Sequence, residues 1–270
     1  MDNEYIIAAE PFFNFDGYGF NMKWVLLVMT ERVFLGMLTP SSNTVLEPVT
    51  GAILADLPDV TAHFGRFGVT EISLNEKALG QFENQPIIDA SKLLADARLH
   101  AILWNGTSSG WLGFDADRKL CEEITKATGI PASTSVLALN EIFESSGVKK
   151  FGLVTPYLDE IQDKIIANYV GEGFECVSER HLCDRGNFSF SEVTEETIAN
   201  MVREVAADKP DAISIFCTNL RGAWIVDALE REIGIPIYDT VSTTLWKAMK
   251  LAGADPKRIK GWGRLYSEIN

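Results

Sequence analysis

From Val33 onward, short apolar runs alternate with longer amphipathic ones, and the changeovers are marked by glycine, proline, serine and asparagine. The short runs "VFLGMLT", "VTAHFGRF", "AILWNG", "IPASTS", "FGLVT", "FECVSE", "AISIFC" and "IPIYDT" predict strands, being rich in β-branched and aromatic residues and bounded by turn formers. Between them, Ile161, Ile165 and Tyr169 recur at a spacing of four, and Ile198, Val202 and Val205 at four and three. Each set predicts a helix with one buried stripe, so these residues are core and not a cofactor box. Strands that alternate with helices predict parallel sheets joined by helical crossovers, an α/β fold.

The pattern also repeats. "FLGMLTP" (Phe34 to Pro40) matches "KFGLVTP" (Lys150 to Pro156), "AILWNGT" (Ala101 to Thr107) matches "AISIFCT" (Ala212 to Thr218), and "GIPASTS" (from Gly129) matches "GIPIYDT" (from Gly234). The order is kept while the offset drifts from 116 to 105 residues, as loop-sized length changes would produce. Two similar α/β halves are therefore expected, residues 33–147 and 148–270. Residues 1–32 stand apart: "EYIIAAEPFFNFDGYGFNMKWVLLVM" is dense in aromatics but shows neither strand alternation nor helical periodicity. An arm on a neighbouring subunit and an extension ahead of a start at Met22 or Met29 both fit it.

Composition narrows the partners. A formal net charge of -14 repels phosphate backbones and anionic membranes, so neither nucleic acid nor a membrane is expected. No apolar run approaches the roughly 18 residues that span a bilayer, and the first residues are acidic where a secretory signal would be basic. Cys121, Cys176, Cys183 and Cys217 include no CxxC pair, which argues against a zinc site and a disulfide framework. The expectation is a cytoplasmic protein with no metal and no cofactor, for which a homo-oligomer is allowed.

In open α/β sheets, ligands sit at the carboxyl ends of the strands. Two facing halves would bring "TPSSNT", "NGTSSG", "TPYLDE" and "CTNLRG" to one cleft rich in hydroxyls, amides and backbone N–H donors, a setting for a carboxylate. Serine, threonine and asparagine after a strand also serve as helix caps, and for any one of these residues capping is the commoner role. Cys217 stands out because it occupies a turn in that cleft, ahead of Thr218 and Asn219, where a helix N-terminus would lower its pKa. The other three cysteines read as structural. His63, His100 and His181 fall at strand beginnings or in loops away from these motifs, so the thiol is better suited to moving a proton than to attack as a Cys-His pair.

"GMLTPSSNTVLEP", "NGTSSG", "VTPYLDEIQDKIIANYVGEGFEC" and "SIFCTNLRG" resemble the aspartate/glutamate racemase superfamily, in its branch of maleate cis-trans isomerases and arylmalonate decarboxylases. The likeness runs from about Val33 to Leu251 and implies two Rossmann-like halves with the active site between them. Racemases and maleate isomerases of this superfamily place a cysteine in each half. Here Gly106 holds the first position, as in the decarboxylases, and only Cys217 remains. The resemblance implies that Cys217 protonates an enediolate left by loss of carbon dioxide, with Thr107, Ser108, Tyr157 and the N–H of Thr218 holding the surviving carboxylate. The "PSSNT" loop departs from the apolar decarboxylase form and follows the maleate isomerases, which assigns Asn43 to a substrate carboxylate and suggests a second polar group on the substrate. Pro40, Ser41, Ser42, Gly106, Asn219 and Arg221 complete the expected binding set, with Arg221 offering a cation to the cleft or to solvent. A cofactor-independent decarboxylase acting on a small malonate-like acid is the expected function. A one-cysteine isomerase acting on a small dicarboxylic acid and a noncatalytic carboxylate-binding protein are the alternatives.

Overall fold

The structure is a computed structural model that describes residues 32–75 and 80–269. Apart from Arg32, the aromatic N-terminal stretch lies outside the described residues. All the predicted strands form: β1 (Val33–Pro40), β2 (Val60–Phe67), β3 (Ala101–Trp104), β4 (Ala132–Thr134), β5 (Lys150–Thr155), β6 (Glu175–His181), β7 (Ala212–Ile215) and β8 (Ile237–Asp239). The helices are α1 (Leu46–Ile53), α2 (Asn84–Ala95), α3 (Ser109–Leu112), α4 (Phe114–Thr128), α5 (Ser135–Ser146), α6 (Asp159–Gly171), α7 (Glu195–Ala206), α8 (Val226–Ile233), α9 (Thr240–Leu251) and α10 (Leu265–Glu268). Strand β4 is shorter than its apolar run because Thr134 turns to cap α5, accepting the N–H of Leu137 at 3.1 Å. Asp239 ends β8 in the same way, accepting the N–H of Val241 at 2.9 Å to cap α9.

The strands make two parallel four-stranded sheets, ordered β2-β1-β3-β4 and β6-β5-β7-β8. The sequence repeats fall on equivalent strands, β1 with β5, β3 with β7 and β4 with β8. Leu35, Met37 and Leu38 of β1 and Phe151, Leu153 and Val154 of β5 are all buried, the near-continuous burial of parallel strands covered on both faces. The predicted stripes of α6 and α7 are fully buried, each large aliphatic side chain contributing roughly 1.5–3 kcal/mol of transfer free energy. Gly36 and Gly152 hold matching places in the repeat because a Cβ would lie 2.5 Å from Leu99 at one and 2.1 Å from Val205 at the other.

The two sheets are joined through α5 and α9. Thr244 Oγ1 donates to Ser135 Oγ at 2.7 Å, and Lys247 and Lys250 both pair with Glu141. In each sheet the strand order reverses beside the first strand, between β1 and β3 and between β5 and β7, so each sheet has a crevice at the carboxyl ends of that pair.

Asp117 of α4 is buried and ties three elements together, accepting hydroxyl protons from Ser109 at 2.7 Å and from Thr134. Burial raises its carboxyl to about 6, with the two hydroxyls opposing the shift. A folded-state pKa raised above the unfolded 3.8 contributes stability that is complete below pH 4 and lost as pH rises through 6. Denaturant unfolding of the native chain should therefore show a loss between pH 4 and 7 that Asp117→Asn does not, amounting to about 3 kcal/mol. Parallel stability profiles for the two chains would contradict that assignment.

Candidate active site

The crevices of the two sheets share one pocket. Its lining comes from Pro40 at the end of β1 and from the loops after β2 (Val69, Ile72), β3 (Gly106, Thr107, Ser108), β5 (Tyr157), β6 (Asn187) and β7 (Cys217, Thr218), with Trp104 and Trp111 as walls. Of the residues expected from sequence, Cys217, Tyr157, Thr107, Ser108, Pro40, Gly106 and Thr218 meet here. The Thr107 and Tyr157 hydroxyls lie 2.6 Å apart. Cys217 Sγ accepts the N–H of Asn219 at 3.4 Å, and it shares the pocket with the Tyr157 hydroxyl, which favours its thiolate. The space enclosed is about 20 Å³, room for a single water, so a carboxylic acid enters only when the walls part. The cover is made where the loops after β2 and β6 meet: Ile72 N–H donates to the Arg185 carbonyl at 2.9 Å, and Glu71 forms a bridge with Gly186.

Five expected residues do not line the pocket, and four of them, Ser41, Ser42, Asn43 and Asn219, support it from behind. Ser41 and Ser42 turn to the Val69 carbonyl, at 3.3 and 2.7 Å. Asn43 Oδ1 accepts the N–H groups of Val45 and Leu46 at the start of α1, each at 2.9 Å, while its amide donates to the Thr218 carbonyl at 3.1 Å. Asn219 reciprocates: its Oδ1 accepts the N–H of Thr44 at 3.0 Å, and its amide donates to the Asn187 carbonyl at 2.5 Å. Arg221 points to Glu195, 3.7 Å away. In this structure the loop expected to contact substrate caps α1 and bridges to the second half. What it leaves facing the pocket is apolar: Pro40, Val69, Ile72 and Trp104.

Two further expectations are corrected. No helix starts after Cys217; Phe216 to Gly222 is a loop, followed by a 3-10 turn at Ala223–Ile225 and then α8. The thiol is 2% exposed, and burial pushes it up to about 12 against the pull of the Asn219 and Leu220 N–H groups and the Tyr157 hydroxyl. It is a protonated thiol at rest. His63 sits inside β2, bonded to Thr61 Oγ1 at 3.0 Å, and His181 is the last residue of β6, while His100 lies in the turn before β3 and accepts the Phe34 N–H at 2.9 Å. None of the three lines the pocket.

Sequence reasoning missed Trp104, Trp111, Val69, Ile72 and Asn187. Trp104 is the decisive omission. A Cβ on Gly106 would lie 2.0 to 2.6 Å from the Trp104 ring, which also packs on Phe67 at a centroid distance of 4.8 Å. The indole therefore takes the space that a thiol at residue 106 would need. The repeat carried the signal: aligning "AILWNGT" with "AISIFCT" sets Trp104 against Ile215 and Gly106 against Cys217. Tyr157 is buried too, and burial, followed by the charge of a Cys217 thiolate, keeps its hydroxyl protonated as a donor far beyond neutral pH.

Comparisons with known proteins identify the family and the fold. The arylmalonate decarboxylase family model matches residues 35–266. Arylmalonate decarboxylase of Bordetella bronchiseptica is 27% identical over 238 residues, covering 87% of this chain and 96% of that protein. The fold is shared with a cysteine-to-serine variant of Nocardia farcinica maleate cis-trans isomerase carrying a covalently bound succinylcysteine intermediate, at TM-score 0.79 and 23% identity over 88% of this chain and 99% of the other. It is shared equally with a liganded arylmalonate decarboxylase variant in which a glycine is replaced by cysteine and a cysteine by serine, at TM-score 0.76 and 23% identity, again over 88% and 99%. Among the described residues no helix is long and apolar enough to cross a membrane.

Gly106→Cys alone should lower stability by about 1–3 kcal/mol, the usual effect of forcing extra atoms into a packed site. Adding Trp104→Ile, the residue that the second half uses at the matching place, should restore much of the loss. Denaturant unfolding of the single and double variants measures both, and a single variant as stable as the native chain would contradict the packing account.

Proposed function

The chain belongs to the arylmalonate decarboxylase family, and we propose that its reaction is the cofactor-independent decarboxylation of a malonate-type acid bearing an apolar substituent. The observation that carries this reading is the indole packed against Gly106: one thiol on one side of the pocket, an aromatic wall on the other. A single proton donor suits a reaction that protonates carbon once and from one face. A two-sided racemisation would need a second acid where Trp104 stands.

In this reading, one substrate carboxylate lies against the donors Thr107, Ser108 and Tyr157, and the other lies against the apolar wall of Val69, Ile72 and Trp104. The bond from the α-carbon to the second carboxylate breaks and carbon dioxide leaves. The electron pair passes into the held carboxylate, forming an enediolate that the hydroxyl donors stabilise, each by roughly 3–4 kcal/mol. Cys217 then gives its S–H proton to the α-carbon, and the thiolate, held by the Asn219 N–H and the Tyr157 hydroxyl, regains a proton from solvent. The product is the monoacid, and the held carboxylate serves as the electron sink that a cofactor would otherwise supply. The high thiol pKa fits this role, because the donor is loaded before substrate arrives.

Turnover of phenylmalonate and methylmalonate, followed by carbon dioxide release and by NMR in D2O, tests the reading. The native chain should place one deuterium stereospecifically. Cys217→Ser should lose about 100- to 10,000-fold in kcat, and Tyr157→Phe or Thr107→Ala about 100- to 1000-fold. Conversion of maleate to fumarate with no release of carbon dioxide from any malonate would overturn the assignment in favour of isomerisation.

The pH profile gives a separate check. A thiol acid works while protonated, so its contribution falls as pH rises through its pKa, and burial moves that fall from 9 to about 12. The kcat for decarboxylation should accordingly show no thiol-type decline between pH 7 and 10. A decline centred near pH 9 would mean that the thiol titrates as a solvated group.

A further inference from the structure

Outside the pocket, the amino end of α6 and the carboxyl end of β6 bring three side chains of different chemistry together. His181 Nε2 lies 2.7 Å from Asp159 Oδ1, Cys183 Sγ lies 3.1 Å from the same oxygen, and all three ligand atoms fall within 4.8 Å of one another. We infer that Asp159, His181 and Cys183 form a binding site for a zinc-class divalent cation, with water completing a four-coordinate shell.

The ligand set carries the choice of ion. One imidazole nitrogen, one thiolate and one carboxylate oxygen suit zinc or cobalt(II), whereas calcium and magnesium select oxygen alone. Bond lengths of 2.0 to 2.3 Å to such an ion would set the ligand atoms roughly 3.5 Å apart, so the two pairs that share Asp159 must spread slightly while His181 Nε2 and Cys183 Sγ, within 4.8 Å of each other, settle to the same separation. The thiol loses its proton to solvent on ligation.

The backing of the histidine is the second observation. His181 Nδ1 lies 2.7 Å from Glu179 Oε2, the same oxygen accepts the Gln162 amide at 2.8 Å, and Gln162 in turn accepts the Thr155 hydroxyl at 2.7 Å. Gln162 and Thr155 are buried, so the imidazole is oriented from the protein interior, as metal-bound histidines commonly are. Both ring nitrogens lie 2.7 Å from a carboxylate oxygen, so a protonated His181 bridges Glu179 and Asp159, and an ion bound at Nε2 would take the place of the proton there while Glu179 keeps hold of Nδ1. Cys183 lies two residues beyond β6 at a left-handed φ of 53°, and its N–H donates to the Tyr157 carbonyl at 3.1 Å. A bound ion would therefore brace the segment that carries Tyr157.

The test uses the full, reduced chain and zinc alone, titrated in competition with a chromophoric chelator. The expected result is one zinc per chain, a rise in Tm on zinc addition, and an affinity lower by 10-fold or more in both His181→Ala and Cys183→Ser. Glu179→Gln should weaken binding 10- to 100-fold, and Cys217→Ser should bind zinc like the native chain. Cobalt(II) should give a thiolate charge-transfer band that disappears in Cys183→Ser. No stoichiometric zinc binding, binding unchanged in both ligand variants, or cobalt binding without a thiolate band would each overturn the proposal. None of these outcomes depends on which reaction Cys217 catalyses.

Discussion

Two asparagines, one from each half, hold the active-site loops in register, and the rest of the site depends on them. Asn43 reaches across to the Thr218 carbonyl, and Asn219 reaches back to the Thr44 N–H. The Thr218 hydroxyl closes the connection by donating to the Asn105 carbonyl at 3.0 Å. These contacts join residues more than a hundred positions apart at the carboxyl ends of two separate sheets. Each asparagine also uses its second polar group, Asn43 on the amino end of α1 and Asn219 on the Asn187 carbonyl. Both side chains are 1% exposed, so breaking one bridge would strand several buried donors and acceptors together. Cys217 and Gly106 are set opposite each other because the residues beside them are fixed in this way.

The halves are alike in strand order and unlike in the one exchange that matters for chemistry. At matching places the first half has tryptophan and then glycine, and the second has isoleucine and then cysteine. The large ring at residue 104 is compatible only with hydrogen at residue 106, whereas the second half has the smaller Ile215 where a thiol stands at 217. A symmetric fold can thus host a one-sided reaction without rebuilding its loops.

Strand positions, the internal repeat and the meeting of four loops at one cleft were legible in the sequence, because each rests on local periodicity or on order along the chain. What escaped was pairwise and three-dimensional. Asn43 and Asn219 entered the expected binding set through the resemblance, although capping is the commoner role of polar residues after strands; only the coordinates tell which carbonyl an amide faces. The pKa of Cys217 was expected to fall on the assumption of a helix start that the chain does not make, and burial decides the matter in the opposite direction. Asp159, His181 and Cys183 carried no spacing signal at all, since a helix start and a strand end 22 residues apart must be folded together before they meet.

The closed pocket and the buried thiol follow from one arrangement. The loops after β2 and β6, at equivalent edges of the two sheets, seal the cavity through the contact of Ile72 with Arg185 and the Asn187 amide on Ser42 Oγ at 2.8 Å. Burial raises the thiol's pKa well above its ordinary range, and exclusion of water also removes competing hydrogen bonds from the Thr107 and Tyr157 hydroxyls. Substrate entry must open that seal, and a carboxylate that takes its place beside those hydroxyls replaces the lost water with fixed donors. On the proposed reaction, the loops that bury the acid are therefore the same loops that must move to admit substrate, which would tie proton transfer at Cys217 to closure over it.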